Sequence, residues 1–201
     1  MTSPASELKR RLVHASGAAL PVLYLLGAIS WRTLGYLFAV GSVVAGGLEA
    51  VRLLVGLDWR IYDELIRDYE RENVAGYALY MGSMTGVALL APPYAAVPGM
   101  LMLAIGDPIS GVLGSNEAGR AKRAGVIVAM FAACLALALP VVLSRTDAVT
   151  TTAVAAASAG ALAATLADGL TPVVWGYVVD DNLTIPPAAA LGIWVALRLL
   201  G

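Results

Sequence analysis

Asp107 stands in Ala104-Ile105-Gly106-Asp107-Pro108-Ile109-Ser110-Gly111, an acid in the middle of an apolar run. An ionisable group at membrane depth costs on the order of 3 kcal/mol to insert, so its presence asks for a role. Asp before Pro is a good helix start, because the carboxylate accepts from free amides and proline fits the first helical position. Set inside an apolar run, such a start predicts a broken helix at membrane depth, lining a wet cavity or buried in protein. Its amides would point at an anion, and its carboxylate would suit a hard cation such as Mg2+ bridging phosphates.

Three further clusters carry similar chemistry. Asp180-Asp181-Asn182-Leu183-Thr184 precedes the last apolar segment. It reads either as a loop ending in a helix cap or as a hard-cation site, with Asp180 and Asp181 as metal ligands beside Asn182 and Thr184. Arg120, Lys122 and Arg123 form a basic loop, which sets topology or, being near Asp107, grips phosphate. Arg10, Arg11 and His14 stand where the first apolar segment begins. They read as an interfacial anchor or as phosphate contacts, and His14, the one histidine, as a phosphate ligand, a proton relay or a packing residue. Asp168, followed by glycine, reads mainly as a turn residue, and Glu49 with Arg52 as an intrahelical pair.

The elements that must position these groups are membrane helices. Hydrophobic residues make up 59% of the 201-residue chain and charged ones 13%, with a mean hydropathy of +0.79. A soluble domain is about a quarter charged, so lipid must cover part of this surface. The expectation is an all-α, polytopic helix bundle in one integral membrane domain spanning 1–201. Seven segments are long and apolar enough to be candidates: 12–30, 33–55, 77–92, 94–114, 124–143, 148–167 and 184–200. The charged stretch 57–74 carries Trp59, Ile61, Tyr62, Leu65, Ile66 and Tyr69 at helical spacing and reads as an amphipathic helix at the interface. The basic start does not read as a cleaved signal peptide, because further apolar segments follow it without a convincing cleavage site.

Charge is lopsided across these segments. With the N-terminus inside, the inner side holds Lys9, Arg10, Arg11, Arg52, Arg60, Arg67, Arg71, Arg120, Lys122 and Arg123, while the outer side holds Arg32, Arg145 and Arg198. The acids follow, with Asp147 alone outside. The active face is therefore expected at the cytoplasmic boundary of the cell membrane. The lone Cys134 reads as a small packing residue, and Gly82 with Gly86 and the alanine-rich stretch 153–164 as helix-packing faces. Nothing in the charge pattern suggests nucleic acid.

Acids for a metal, bases for phosphate and a bundle open to lipid are what phosphoryl transfer to a lipid alcohol requires. A cytidylyltransferase making a CDP-lipid would need similar parts. A lipid-phosphate transporter with a broken helix would use the same charges for binding alone.

The chain resembles the polyprenol kinase family, which includes dolichol kinase, phytol kinase and CTP-dependent diacylglycerol kinase and is related to the phosphatidate cytidylyltransferases. Glu7, Arg10, Arg11 and His14 are similar to its Glu-x-x-Arg-Lys-x-x-His entry, with arginine at the lysine position. Arg67, Glu70 and Gly76 resemble its charged loop before a glycine-led helix, and Gly106-Asp107 with Gly114 its Gly-Asp…Gly motif. Asp180-Asp181-Asn182-Leu183-Thr184-Ile185-Pro186 is similar to its Asp-Asp-Asn-Leu-Thr-Val-Pro signature. The resemblance implies a CTP-dependent kinase that moves the γ-phosphate to the hydroxyl of an isoprenoid alcohol, as in a dolichol kinase-like archaeal enzyme. Asp107 and Asp181 would be acidic site residues holding Mg2+ or another divalent cation, and His14 a catalytic residue facing the nucleotide phosphates. Arg10, Arg11, Gly106, Asn182 and Thr184 would lie at the nucleotide, together with the basic loop Arg120, Lys122 and Arg123. Expected partners are a lipid alcohol, a nucleotide, membrane lipid and, as an option, a second copy of the chain. The stretch 119–126, Gly-Arg-Ala-Lys-Arg-Ala-Gly-Val, departs from the family's Lys-Ser-x-Glu-Gly, which leaves nucleotide and acceptor open.

Overall fold

The structure is a computed structural model and describes residues 4–56, 66, 70–71, 73–114, 122–170, 172–174 and 177–201. Its helices are α1 (Pro4–Ser16), α2 (Ala19–Leu25), α3 (Trp31–Val55), α4 (Gly76–Leu90), α5 (Pro93–Leu101), α6 (Asp107–Leu113), α7 (Ala124–Arg145), α8 (Thr150–Gly169) and α9 (Asp181–Leu200). A π-helical turn, Met102–Gly106, joins α5 to α6. Between α8 and α9 a small antiparallel ribbon pairs Val173 with Val178 and Val174 with Tyr177. The expected amphipathic helix over 57–74 lies almost wholly outside the described residues, as does Arg120.

Five helical stretches are long and apolar enough to cross a membrane: Trp31–Val55, Pro93–Leu113, Ala124–Arg145, Thr150–Gly169 and Asp181–Leu200. Two of the seven expected segments fall short. The first is split, because α1 ends at Ser16 and Gly17 and Ala18 close tight turns onto the carbonyls of His14 and Ala15. A Cβ at Gly17 would collide with the Tyr80 hydroxyl, so the break falls where α4 needs room. The third segment is only 15 residues as α4, about 22 Å at 1.5 Å per residue. It stops at Ala91, whose ψ of 149° is the extended conformation that the following Pro92 imposes.

The expected helix break at Gly106-Asp107-Pro108 is not there. The chain runs helically from Pro93 to Leu113, and Asp107 has helical angles, φ −59° and ψ −48°. Proline removes an N–H from the helical ladder, and here the ladder answers by widening into a π turn rather than by stopping. The Asp107 carboxylate consequently caps no amide and is left for other partners.

The core sits where α5, α7, α8 and α9 meet, around Val97, Met100, Met102, Leu103, Met130, Ala157 and Ile193. The alanine-rich α8 packs closely on α9, as its small residues suggest: a Cβ at Gly192 would stand 2.9 Å from Ala159 O. Gly99 similarly admits the backbone of Pro186, whose oxygen lies 2.6 Å from the position of a Cβ. Gly82 and Gly86 behave differently, with nothing within 4 Å of an added Cβ, so this pair does not pack against another helix among the described residues. Helix α3 rests on α4 and turns Val40, Val43 and Leu54 outward, as a lipid-facing helix does. At one end of the bundle Arg145 bonds Leu25 O and Thr152 bonds Leu200 O. Arg11, His14, Arg52, Asp107, Lys122, Asp168 and Asp181 gather at the other.

Candidate functional site

Three carboxylates from three helices meet at that charged end. Asp107 at the start of α6, Asp168 near the end of α8 and Asp181 at the start of α9 each offer an oxygen, and these oxygens lie within 4.8 Å of one another. Asp168 and Asp181 are 2% and 7% exposed, while the Asp107 side chain keeps 14%. Carboxylates packed this closely repel one another unless protons or cations sit among them. Asp168 is held on both oxygens: Lys122 Nζ donates to Oδ1 at 2.6 Å and Ser110 Oγ to Oδ2 at 2.7 Å. Lys122 also donates to Ser110 Oγ at 2.9 Å.

Asp168 and Ser110 are the site residues that sequence reasoning missed. Asp168 looked like a turn residue because glycine follows it, yet it is the single acid on α8 and is buried. Its cost at that depth was the available signal.

The adjacent acids Asp180 and Asp181 divide the work. Asp180 is the α9 N-cap: its Oδ1 accepts from Asn182 N at 2.9 Å and from Asn182 Nδ2 at 2.6 Å. Among the described residues it is not part of the three-carboxylate cluster, which takes Asp168 instead. Thr184 hydrogen-bonds back to Asp180 O at 3.4 Å and so belongs to the helix start. Asn182 is 7% exposed, and its Oδ1 is buried with no hydrogen-bond partner among the described residues. A buried amide oxygen left this way costs about 1–3 kcal/mol unless a ligand or water satisfies it.

Asp107 and Asn182 line a cavity of about 310 Å3, whose other walls include Arg10, Arg11, His14, Glu70, Tyr77 and Tyr80. Helix α1 supplies the basic wall. Arg11 Nη1 donates to Pro108 O at 3.0 Å, and the guanidinium fits because Gly111 has no side chain there. His14 Nε2 lies 2.9 Å from Leu103 O and 3.5 Å from Asp107 Oδ2, and Tyr80 stacks edge-on against its ring at 4.7 Å.

A second polar network fixes the loop that enters α4. Glu49 accepts from Arg52 Nε and Nη2 at 2.9 and 2.7 Å and from Ala75 N at 3.0 Å. Tyr77 also donates its hydroxyl to Glu49. Arg52 in turn donates to the carbonyls of Arg71 and Asn73. The pair read as intrahelical therefore reaches across the fold, holding the loop that carries Glu70 onto the cavity.

Of the remaining expected residues, Gly106 and Arg123 have other surroundings and Lys122 stands at the cluster. Gly106 faces Cys134 and Met130, where a Cβ would come within 3.2 and 3.3 Å of their sulfurs, so it makes room for α7. Arg123 is exposed at the α7 N-cap. Lys122 Nζ pairs with Asp168 Oδ1 at 2.6 Å.

The chain matches no protein-family model, no curated protein and no solved structure.

Proposed function

We propose that this chain is a membrane-embedded phosphotransferase, a CTP-dependent kinase that phosphorylates the hydroxyl of an isoprenoid alcohol. The observation that carries the reading is the meeting of Asp107 with Asp168 and Asp181, where Asp107 lines a cavity that Arg10 and Arg11 also line. Hard carboxylate oxygens suit Mg2+, and Asn182, whose buried Oδ1 has no partner among the described residues, lines the same cavity as Asp107 and is a further hard donor. These four side chains would hold the cation, which when bound offsets charge on a triphosphate. The distribution of charge along the chain, ten basic residues toward one side against three, supports a cytoplasmic face for the site.

In this reading Arg10 and Arg11 grip the nucleotide phosphates from α1. The lipid alcohol enters from the bilayer with its hydroxyl in the cavity. Its oxygen forms a bond to the γ-phosphorus while the bond from that phosphorus to the β-bridging oxygen breaks, and the nucleoside diphosphate leaves with the bridging oxygen. Asp107 is the cluster's carboxylate on the cavity wall, and in this reading it takes the hydroxyl proton. Lys122 and Ser110 keep Asp168 fixed.

The test is transfer of label from γ-labelled CTP, in Mg2+, to a panel of long-chain alcohols by the purified protein. Label in the lipid, lost in Asp107→Asn, supports the reading. Release of pyrophosphate with the nucleotide joined to the lipid makes the protein a cytidylyltransferase instead. Counterflow of a lipid phosphate with no nucleotide turnover makes it a transporter.

A further inference from the structure

The π turn before Asp107 leaves a backbone acceptor open, and one side chain fills it. In an α-helix Leu103 O would accept from Asp107 N. Here Asp107 N reaches back to Met102 O, five residues away, and the next residue, Pro108, has no N–H. Leu103 is fully buried, so an unmet carbonyl there is costly. His14 Nε2 meets it at 2.9 Å from α1.

We propose that His14 is a positioning residue: with its proton on Nε2 it donates to Leu103 O, clamps the π turn, and so holds the arginine wall of α1 against Asp107.

The chemistry of the partners fixes the proton. A carbonyl oxygen only accepts, so the nitrogen facing it must be the donor. Asp107 Oδ2, 3.5 Å from the same nitrogen, is an acceptor as well. Nε2 therefore does not receive the alcohol's proton, which narrows the base to a carboxylate. The ring cannot turn away easily. Tyr80 packs edge-on against it at an interplanar angle of 78°, and the Tyr80 hydroxyl donates to His14 O at 3.3 Å. Tyr80 gains that place because Gly17 carries no side chain. Contacts from α4, the π turn and α6 thus converge on one imidazole at the hinge between helix and site. The consequence for the cation rests on the phosphotransfer reading, whereas the clamp itself does not.

The chain has one histidine, so 15N-histidine labelling in lipid nanodiscs yields the signals of this ring alone. The expected spectrum has Nε2 protonated; a bare, pyridine-type Nε2 overturns the proposal. Two variants then separate positioning from packing, read by Mn2+ binding in paramagnetic resonance. Glutamine places an amide N–H where Nε2 stands, and asparagine stops one atom short. His14→Gln should keep the Mn2+ affinity of the parent, while His14→Asn should lose about 10–100-fold, the usual range for an outer-shell partner. Equal affinity in both variants, whether kept or lost, overturns the positioning role. Wild-type protein that binds no Mn2+ removes the metal reading, and the ring signal then decides the clamp alone.

Discussion

Lys122 Nζ and Asp168 Oδ1 are 2.6 Å apart, and their side chains are 7% and 2% exposed. The lysine enters just before α7 and the aspartate near the end of α8, so one ion pair joins two helices at the carboxylate cluster. Removing one partner of a buried pair leaves an uncompensated charge and costs about 3–5 kcal/mol, whereas removing both is much milder. Lys122→Met should therefore destabilise strongly, and Lys122→Met with Asp168→Leu should recover part of the loss. Thermal unfolding in one detergent measures both. Additive losses in the double variant would show that the pair is not coupled.

The cluster predicts equal treatment for acids far apart in sequence. Asp107→Asn, Asp168→Asn and Asp181→Asn should each weaken Mn2+ binding and lower phosphate transfer by on the order of a hundredfold, since each removes preorganised charge from the same point. The check is a paired titration and transfer assay on all three. Normal values in Asp168→Asn would return that residue to a purely structural role.

Two glycines make opposite predictions. A Cβ at Gly111 meets the flexible guanidinium of Arg11, which can swing aside. Gly111→Ala should thus leave stability nearly unchanged and weaken nucleotide binding, because Arg11 loses Pro108 O and its place on the cavity wall. At Gly99 the added Cβ would instead press on the Pro186 backbone at 2.6 Å, where nothing can yield cheaply. Gly99→Ala should cost about 1–3 kcal/mol by overpacking. Melting curves beside nucleotide-binding isotherms separate the two.

The Glu49 network carries a prediction about the cavity's rim. Glu49 gathers Arg52, Ala75 N and the Tyr77 hydroxyl, and Arg52 holds the carbonyls of Arg71 and Asn73. Glu49→Leu should release this loop, and hydrogen exchange at Ala75 should quicken at least about tenfold, because its amide loses a buried acceptor. Unchanged exchange there would mean that α4 holds the loop without Glu49.

What could be read from the sequence follows the reach of each interaction. Apolar length gave seven candidate segments, five of which are helices long and apolar enough to cross a membrane, but a local sum could not show that Gly17 yields to Tyr80 or that α4 stops at 15 residues. Asp107 and Asp181 were legible because each stands out from its neighbours. Asp168 was not, because its partners Ser110 and Lys122 are 58 and 46 residues away and only the fold joins them. Asp107-Pro108 pointed to a helix start, since sequence shows the missing N–H but not the distant His14 that makes a π turn affordable there.

Asp180 and Asp181 offer the sharpest contrast, because they are adjacent, both acidic and both buried. Composition treats them alike. Geometry does not: Asp180 precedes the helix with φ −71° and ψ 139°, and its Oδ1 turns back to bond Asn182 N. Asp181 is the first residue of α9 and sends its carboxylate to Asp107 and Asp168. Loss of an N-cap costs about 1 kcal/mol, and glycine recovers most of it. Asp180→Gly should therefore melt close to the parent, with a small drop in Mn2+ affinity from the freed Asn182 side chain. Asp181→Asn should fold as well and lose the cation, since its amide donates where the carboxylate accepted. A Mn2+ titration of the two variants side by side decides the assignment. If Asp180→Gly loses the ion as severely as Asp181→Asn, the division of labour between cap and ligand is wrong, and both acids belong to one site.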